Sequence, residues 1–235
     1  MQARHDFEKI SSHLNCKASS PWTWVFYGDS ITHGAGCTNG WRTYPEIFAE
    51  RIRWELRLLH DLVINSAICG QSTIQLLNEN QYEWRVRRFK PDAVFVLTGS
   101  NDIIKVRESS RFHDNLAALT ARIRNDGAIP ILQTCNPILK VPENSNYMRR
   151  FEAMPEFCET IRQVAREESA ILIDHERNWQ AKAPDEASLQ ALLGEPIHPG
   201  ASGHLELAAE LFRTLNIFDP EAPCMCHPAD SRPQA

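Results

Sequence analysis

No stretch of this chain approaches the roughly 18 consecutive apolar residues that a membrane helix needs. The opening residues, Met1-Gln2-Ala3-Arg4-His5-Asp6-Phe7-Glu8, also lack the apolar core of a signal peptide, so a cytoplasmic protein with no membrane partner is expected. Basic charge is not in excess: 25 Lys and Arg stand against 30 Asp and Glu, a net charge of -5, which removes the electrostatic case for nucleic acid. Cysteine is sparse and odd in number, 7 without framework spacing, which fits reduced thiols rather than a disulfide scaffold. Cys16, Cys37, Cys69, Cys135 and Cys158 read as structural. Cys224-Met225-Cys226-His227 has no second pair of ligands at zinc-site spacing, so no metal is expected. Glycine is scarce too. Gly34-Ala35-Gly36 stops short of a dinucleotide fingerprint, and no Gly-x-Ser-x-Gly elbow of the ordinary α/β-hydrolase kind occurs. No organic cofactor is called for.

What is present is a set of short apolar runs separated by helical patterns. Runs near residues 23–27, 61–65, 93–97, 129–133 and 170–173 have strand length and β-branched or aromatic composition. Between them Ile52, Leu56 and Leu59, then Leu116, Leu119 and Ile123, then Phe157, Ile161 and Val164 recur at helix spacing. Five strands joined by amphipathic crossovers predict a parallel sheet inside a three-layer α/β/α sandwich. Leu205, Ala208, Leu211 and Leu215 predict a closing helix capped by Ser202. At 235 residues and 43% hydrophobic content one core suffices. The expected organisation is an arm over 1–20, one domain over 21–218 and, because of its prolines, an irregular tail over 219–235.

Chemistry concentrates where the runs end. Ser30 follows the first strand in Gly28-Asp29-Ser30, and ligands of open parallel sheets bind outside the carboxyl ends of strands. Val63-Ile64-Asn65 leads to Gly70, whose bare backbone lets an N–H approach a ligand. The third run leads to Gly99-Ser100-Asn101-Asp102, a second source of donors. In Glu195-Pro196-Ile197-His198 an acid precedes a histidine by three residues on a proline-stiffened loop. A serine nucleophile needs a base in reach and a carboxylate that orients the base, and these parts may come from distant segments.

These four blocks, in this order over residues 26–204, resemble the SGNH, or GDSL, hydrolase family, whose signature is Gly-Asp-Ser, a lone Gly, Gly-x-Asn-Asp and Asp-x-x-His. The resemblance implies flavodoxin-like strand order, Ser30 as nucleophile and His198 as general base. It also implies an oxyanion hole from the N–H groups of Ser30 and Gly70 with the Asn101 amide, and Asp29 as support for the turn. The chain departs from the pattern in having Glu195 where the family places aspartate; Glu195 is the expected triad acid, with Asp174 and Asp185 as alternatives. The implied activity is cofactor-free hydrolysis of small-molecule carboxylic esters. Short acyl groups are favoured because the core blocks leave no long insertion for a lid, and an acylated sugar is a candidate substrate, with Trp41 and Trp179 as stacking faces. The rivals are a thioesterase, a lysophospholipase and a non-catalytic carbohydrate-binding relative. Sequence leaves the oligomeric state open.

Overall fold

The computed structural model describes residues 2–15, 20–34 and 38–226; Cys16, Ala35, Gly36, Cys37 and His227 lie outside them. Five strands form one sheet: β1 (Thr23–Gly28), β2 (Leu62–Asn65), β3 (Ala93–Leu97), β4 (Ile129–Gln133) and β5 (Ile171–Ile173). All neighbours are parallel, in the order β2-β1-β3-β4-β5. Because the chain moves to one side after β1 and returns to the other side for β3, a topological switch point falls between these strands, where a crevice opens at their carboxyl ends.

The helices are α1 (Gln2–Asn15), α2 (Ser30–His33), α3 (Tyr44–Glu50), α4 (Thr73–Leu76), α5 (Glu79–Arg85), α6 (Asp102–Lys105), α7 (Ser109–Asn125), α8 (Ser145–Glu167), α9 (His175–Lys182), α10 (Glu186–Leu192) and α11 (Ala201–Thr214). Side chains alternate across the sheet, so β1 sends Trp24 and Phe26 into one layer and Val25 and Tyr27 into the other. The first layer takes α1, α3, α9 and α11, the second α5, α7 and α8. β1 and β3 are buried on both faces, which is why they read as continuous apolar runs rather than alternating ones.

Two expectations change at the margins, and a third, the form of the arm, becomes definite. The arm is a helix whose Ile10 and Leu14 enter the core, while His13 and Trp24 both engage the buried Asp61 carboxylate. The tail is not wholly irregular: Pro223–Met225 form a turn of 3₁₀ helix that buries Cys224 against Glu55. Cys224 therefore serves packing. Among the described residues no group of His, Cys, Asp and Glu is arranged to hold a metal, and no helix is long and apolar enough to cross a membrane. Finally, Gly200 rather than Ser202 caps α11. The chain reaches Gly200 through a bond from its own N–H to the Leu192 carbonyl at 2.9 Å, so the cap falls two residues before Ser202 and the helix takes that serine into its first turn.

Gly203 shows how tightly α11 is seated. A Cβ there would stand 2.2 Å from the Leu192 carbonyl oxygen, 2.8 Å from Pro199 Cβ and 2.9 Å from Trp179 Cη2. The obstacles are mostly backbone and a buried ring, so the cost cannot be shed by rotating a flexible side chain. Gly203→Ala is expected to lower stability by about 1–3 kcal/mol, the scale of core overpacking, and to shift the 192–199 segment that precedes α11. Urea unfolding checks the first effect, and unchanged stability would show that α11 is free to move.

Candidate active site

Ser30 is the first residue of α2, directly beyond β1. The preceding Asp29 caps that helix, its Oδ1 accepting the Ile31 N–H at 3.0 Å. Gly34 closes the short helix in the left-handed region, φ 80°, its N–H donating to the Ser30 carbonyl at 2.9 Å. A four-residue helix held at both ends leaves the half-buried Ser30 hydroxyl facing the crevice beside β3.

His198 arrives from the other end of the chain. Leu193 and Pro199 form an antiparallel bridge, and the Gly194 N–H donates to the His198 carbonyl at 2.9 Å, so residues 193–199 are a loop closed on itself. Inside it Glu195 Oε1 meets His198 Nδ1, and His198 Nε2 lies 2.7 Å from Ser30 Oγ. The longer glutamate arm is accommodated because the closed loop carries both partners. Asp174 and Asp185 do not join this chain. Asp174 receives the Arg162 guanidinium at 2.7 and 2.8 Å, while Asp185 caps α10 by accepting the Ser188 N–H at 2.8 Å.

The other two blocks converge on the same crevice. Beyond β2 the Ser66 and Ile68 N–H groups donate to the Phe26 and Gly28 carbonyls, which runs the 66–70 segment alongside the end of β1. Gly70 then turns at φ +77°, a left-handed conformation that glycine adopts without penalty. Asn101 donates from Nδ2 to the Gln71 carbonyl at 3.0 Å, tying the loop after β3 to the loop after β2. Below it the buried Asp102 reinforces the tie, accepting the Thr73 N–H at 2.9 Å and the Thr73 hydroxyl at 2.5 Å on Oδ1, and the Thr98 hydroxyl at 3.0 Å on Oδ2. Burial pushes the Asp102 carboxyl above its ordinary range, and these hydrogen bonds oppose the shift.

Behind α2 lies a polar network that sequence reading did not single out. Gln133 donates from Nε2 to the Tyr44 hydroxyl at 3.2 Å, and the Tyr44 and Thr32 hydroxyls share a hydrogen bond of 2.8 Å. Gln133 Oε1 therefore receives His175 Nε2–H at 3.0 Å. His204 is buried on α11 and accepts the Tyr44 N–H on Nδ1 at 3.2 Å. Burial lowers His175 to about 3 and His204 to about 4, so both are neutral at ordinary pH. Tertiary placement alone joins these residues, although their polar character amid apolar runs was visible. Trp179, expected near the ligand, is fully buried against α11 and offers no stacking face. Trp41 remains half-buried near the nucleophile helix in sequence.

A parallel three-layer α/β sandwich with a serine–histidine–carboxylate chain at the carboxyl edge of its sheet defines the class. The chain belongs to the GDSL-like Lipase/Acylhydrolase family, which it matches over residues 26–205. An acetylxylan esterase from Geobacillus stearothermophilus, solved as a catalytic mutant, superposes with a TM-score of 0.70 at 20% identity, over 87% of this chain and 98% of that one. LAE5, an alpha/beta hydrolase enzyme from the metagenome of Lake Arreo, Spain, superposes with a TM-score of 0.70 at 18% identity, over 86% and 99%. The uncharacterized lipoprotein YqeF of Bacillus subtilis is 27% identical over 205 residues, 73% of this chain and 79% of that protein. An uncharacterized protein of Mycoplasma pneumoniae is 39% identical over 82 residues, a stretch that is 34% of this chain and 9% of that protein's length.

Asp29 gives the site a pH signature. Burial raises its carboxyl from 3.8 to about 7; the Ile31 N–H lowers it, the Asp102 charge raises it and Arg150 lowers it, while Oδ2 has no hydrogen-bond partner among the described residues. The folded chain holds this proton more tightly than the unfolded chain does, so the associated stability is full below about pH 4 and is lost as pH rises through about 7. Asp29→Asn keeps an oxygen for the Ile31 N–H but cannot ionise. The melting temperature of the variant is expected to gain on the wild type between pH 4 and 8, by on the order of a few kcal/mol in stability. Parallel pH profiles would refute the raised value.

Proposed function

We propose that this protein is a serine esterase that hydrolyses carboxylic esters through an acyl-enzyme, with Ser30 as nucleophile, His198 as general base and Glu195 as orienting acid. The observation that carries the reading is the Ser30 Oγ to His198 Nε2 contact of 2.7 Å, with the opposite ring nitrogen on Glu195. Glu195 accepts a hydrogen bond from Nδ1–H, which holds the tautomer whose Nε2 is unprotonated and able to accept from Ser30. As the Ser30 oxygen bonds to the ester carbonyl carbon, its proton passes to Nε2 and the carbonyl electron pair moves onto oxygen. Collapse expels the alcohol, which takes that proton from Nε2. Water then attacks the acyl group with His198 again as base, freeing the acid and Ser30.

The developing oxyanion needs donors set in advance. Ser30 and Gly70 supply backbone N–H groups and Asn101 supplies its side-chain amide, one hydrogen of which goes to Gln71 while the other is left for the ligand. Asp29 supports the turn. No step requires a metal or an organic cofactor.

For the substrate, the described connections between strands are filled by helices packed on the sheet rather than by a long insertion, which favours short acyl groups. The likeness to an acetylxylan esterase supports O-acetylated carbohydrate as the candidate acceptor, with Trp41 as its stacking face. A panel of p-nitrophenyl esters from acetate to palmitate, followed by acetylated xylo-oligosaccharides, tests this. Turnover is expected to peak at acetate, and Ser30→Ala is expected to reduce it on the order of 10⁴-fold or more with the fold intact. A peak at long chains or on thioesters would move the assignment to a lysophospholipase or thioesterase. A folded Ser30→Ala protein with wild-type turnover would rule out the nucleophile, and sugar binding without turnover would favour a carbohydrate-binding relative.

A further inference from the structure

Three cations that donate to the loops assigned to the oxyanion hole, Arg149 and Arg150 on α8 and Lys105 on α6, form no ion pair with a carboxylate among the described residues. Several arginines elsewhere are matched with acids, Arg162 with Asp174, Glu176 and Glu159, and Arg87 with Glu79, Glu83 and Asp126, while Arg53 and Arg107 donate to the Ala49 and Ile104 carbonyls of their own turns. At the site the pattern differs. Arg150 on α8 donates from Nε to the Ser100 carbonyl at 3.1 Å, from Nη2 to Asn101 Oδ1 at 3.4 Å and from Nη1 to the Asn146 carbonyl at 3.4 Å. Its neighbour Arg149 donates to the Ile103 carbonyl at 3.0 Å, and Lys105 Nζ to the Gly70 carbonyl at 2.5 Å. Each of these bonds ends on a carbonyl or amide oxygen, and all end on the segments 70–103 and 146 that surround Asn101.

Arg150 is the informative member because it is half-buried, and burial lowers its pKa from the ordinary range. Two acidic groups oppose that shift, first the Tyr147 phenol and then Asp29, which lies buried beneath Ser30 and itself holds its proton up to about 7. Glu195, the acid on the facing loop, is engaged with His198. A partly desolvated guanidinium costs free energy unless an anion meets it. Its planar fork also suits a carboxylate or phosphate more closely than a point charge does. The chain as a whole carries a charge of -5, so a cationic rim at this one crevice is a local asymmetry that steers anions toward it.

We infer that the ester substrate carries an anionic group, a carboxylate or phosphate, close to the scissile carbonyl, and that Arg150, aided by Lys105 and Arg149, receives it beside Asn101. This rests on the esterase reading and narrows its substrate class.

The test compares kcat/KM for 4-acetoxybenzoate and 4-acetoxyphenyl phosphate with that for methyl 4-acetoxybenzoate, each divided by its hydroxide-catalysed rate. Mono-4-nitrophenyl succinate against 4-nitrophenyl butyrate places the charge on the acyl side. At least one anionic ester is expected to be favoured by about tenfold, the scale of one charge-assisted hydrogen bond, and the preference is expected to shrink at high salt. Which ester shows it distinguishes carboxylate from phosphate and alcohol side from acyl side. Arg150→Gln is expected to cut the anionic-to-neutral ratio at least fivefold, while Arg150→Lys, which keeps the charge, retains part of it. Neutral esters turned over as well as every charged one would overturn the inference and leave the esterase reading intact. An equal loss on both ester types in Arg150→Gln would also overturn it, reducing Arg150 to a support for Asn101. No hydrolysis of any ester would remove both readings.

Discussion

The site hangs on the closure of one short loop. Between Leu193 and Gly200 the backbone closes on itself and on the end of α10, through the Gly194 N–H to the His198 carbonyl and the Gly200 N–H to the Leu192 carbonyl. Closure converts a flexible segment into a rigid unit that presents glutamate and histidine in fixed relation. The entropy of ordering the pair is met in folding rather than at each turnover. α11 presses this unit toward the sheet, where Gly203 allows contact with Pro199 and Trp179 that any side chain would prevent. The loop after β4 braces its outer side through the Leu139 N–H to the Pro196 carbonyl at 2.8 Å.

Opposite this unit, the donors depend on a different device. Asp102, without an ion pair to a cation, binds backbone and hydroxyl groups of Thr73 and Thr98, so one buried carboxylate holds the ends of two loops together. Asn101 sits one residue before this knot and adds its own link to Gln71. Positioning of the amide is therefore a property of the loop pair rather than of Asn101 alone. The GDSL-like family match covers both devices, and the chain differs from the Asp-x-x-His pattern only in the length of the acid's arm.

Much of this was legible in the residues. The strands could be read because β1 and β3 are buried on both faces and so appear as unbroken apolar runs, and because β4 and β5 end near the breaks seen in composition. The meeting of Ser30, His198 and Glu195 and the tie of Asn101 to the loop after β2 follow the motif order and strand ends visible in the chain. Other contacts made between distant elements could not be read. Trp179 was misread as a ligand face because nearness in sequence to the Glu195 loop says nothing of which way an indole points, and here it fills the space under Gly203. Arg150 gave no local signal, since its relation to Asn101 arises only when α8 packs beside the loop after β3. Ser202 was a good cap by type, but the bond from Gly200 to Leu192 starts the helix earlier.

The central claim is that Glu195 orients His198 within the closed loop so that His198 acts as base on Ser30, and the pH-independent kcat of Glu195→Gln and Asp185→Asn tests it most directly. Glu195→Gln keeps shape while removing the charge that stabilises the imidazolium. It is expected to lower kcat on the order of 10²-fold or more with little change in KM, whereas Asp185→Asn disturbs only the cap of α10 and stays near wild type. Near-wild-type turnover in folded Glu195→Gln, together with a crippled Asp185→Asn, would contradict the account.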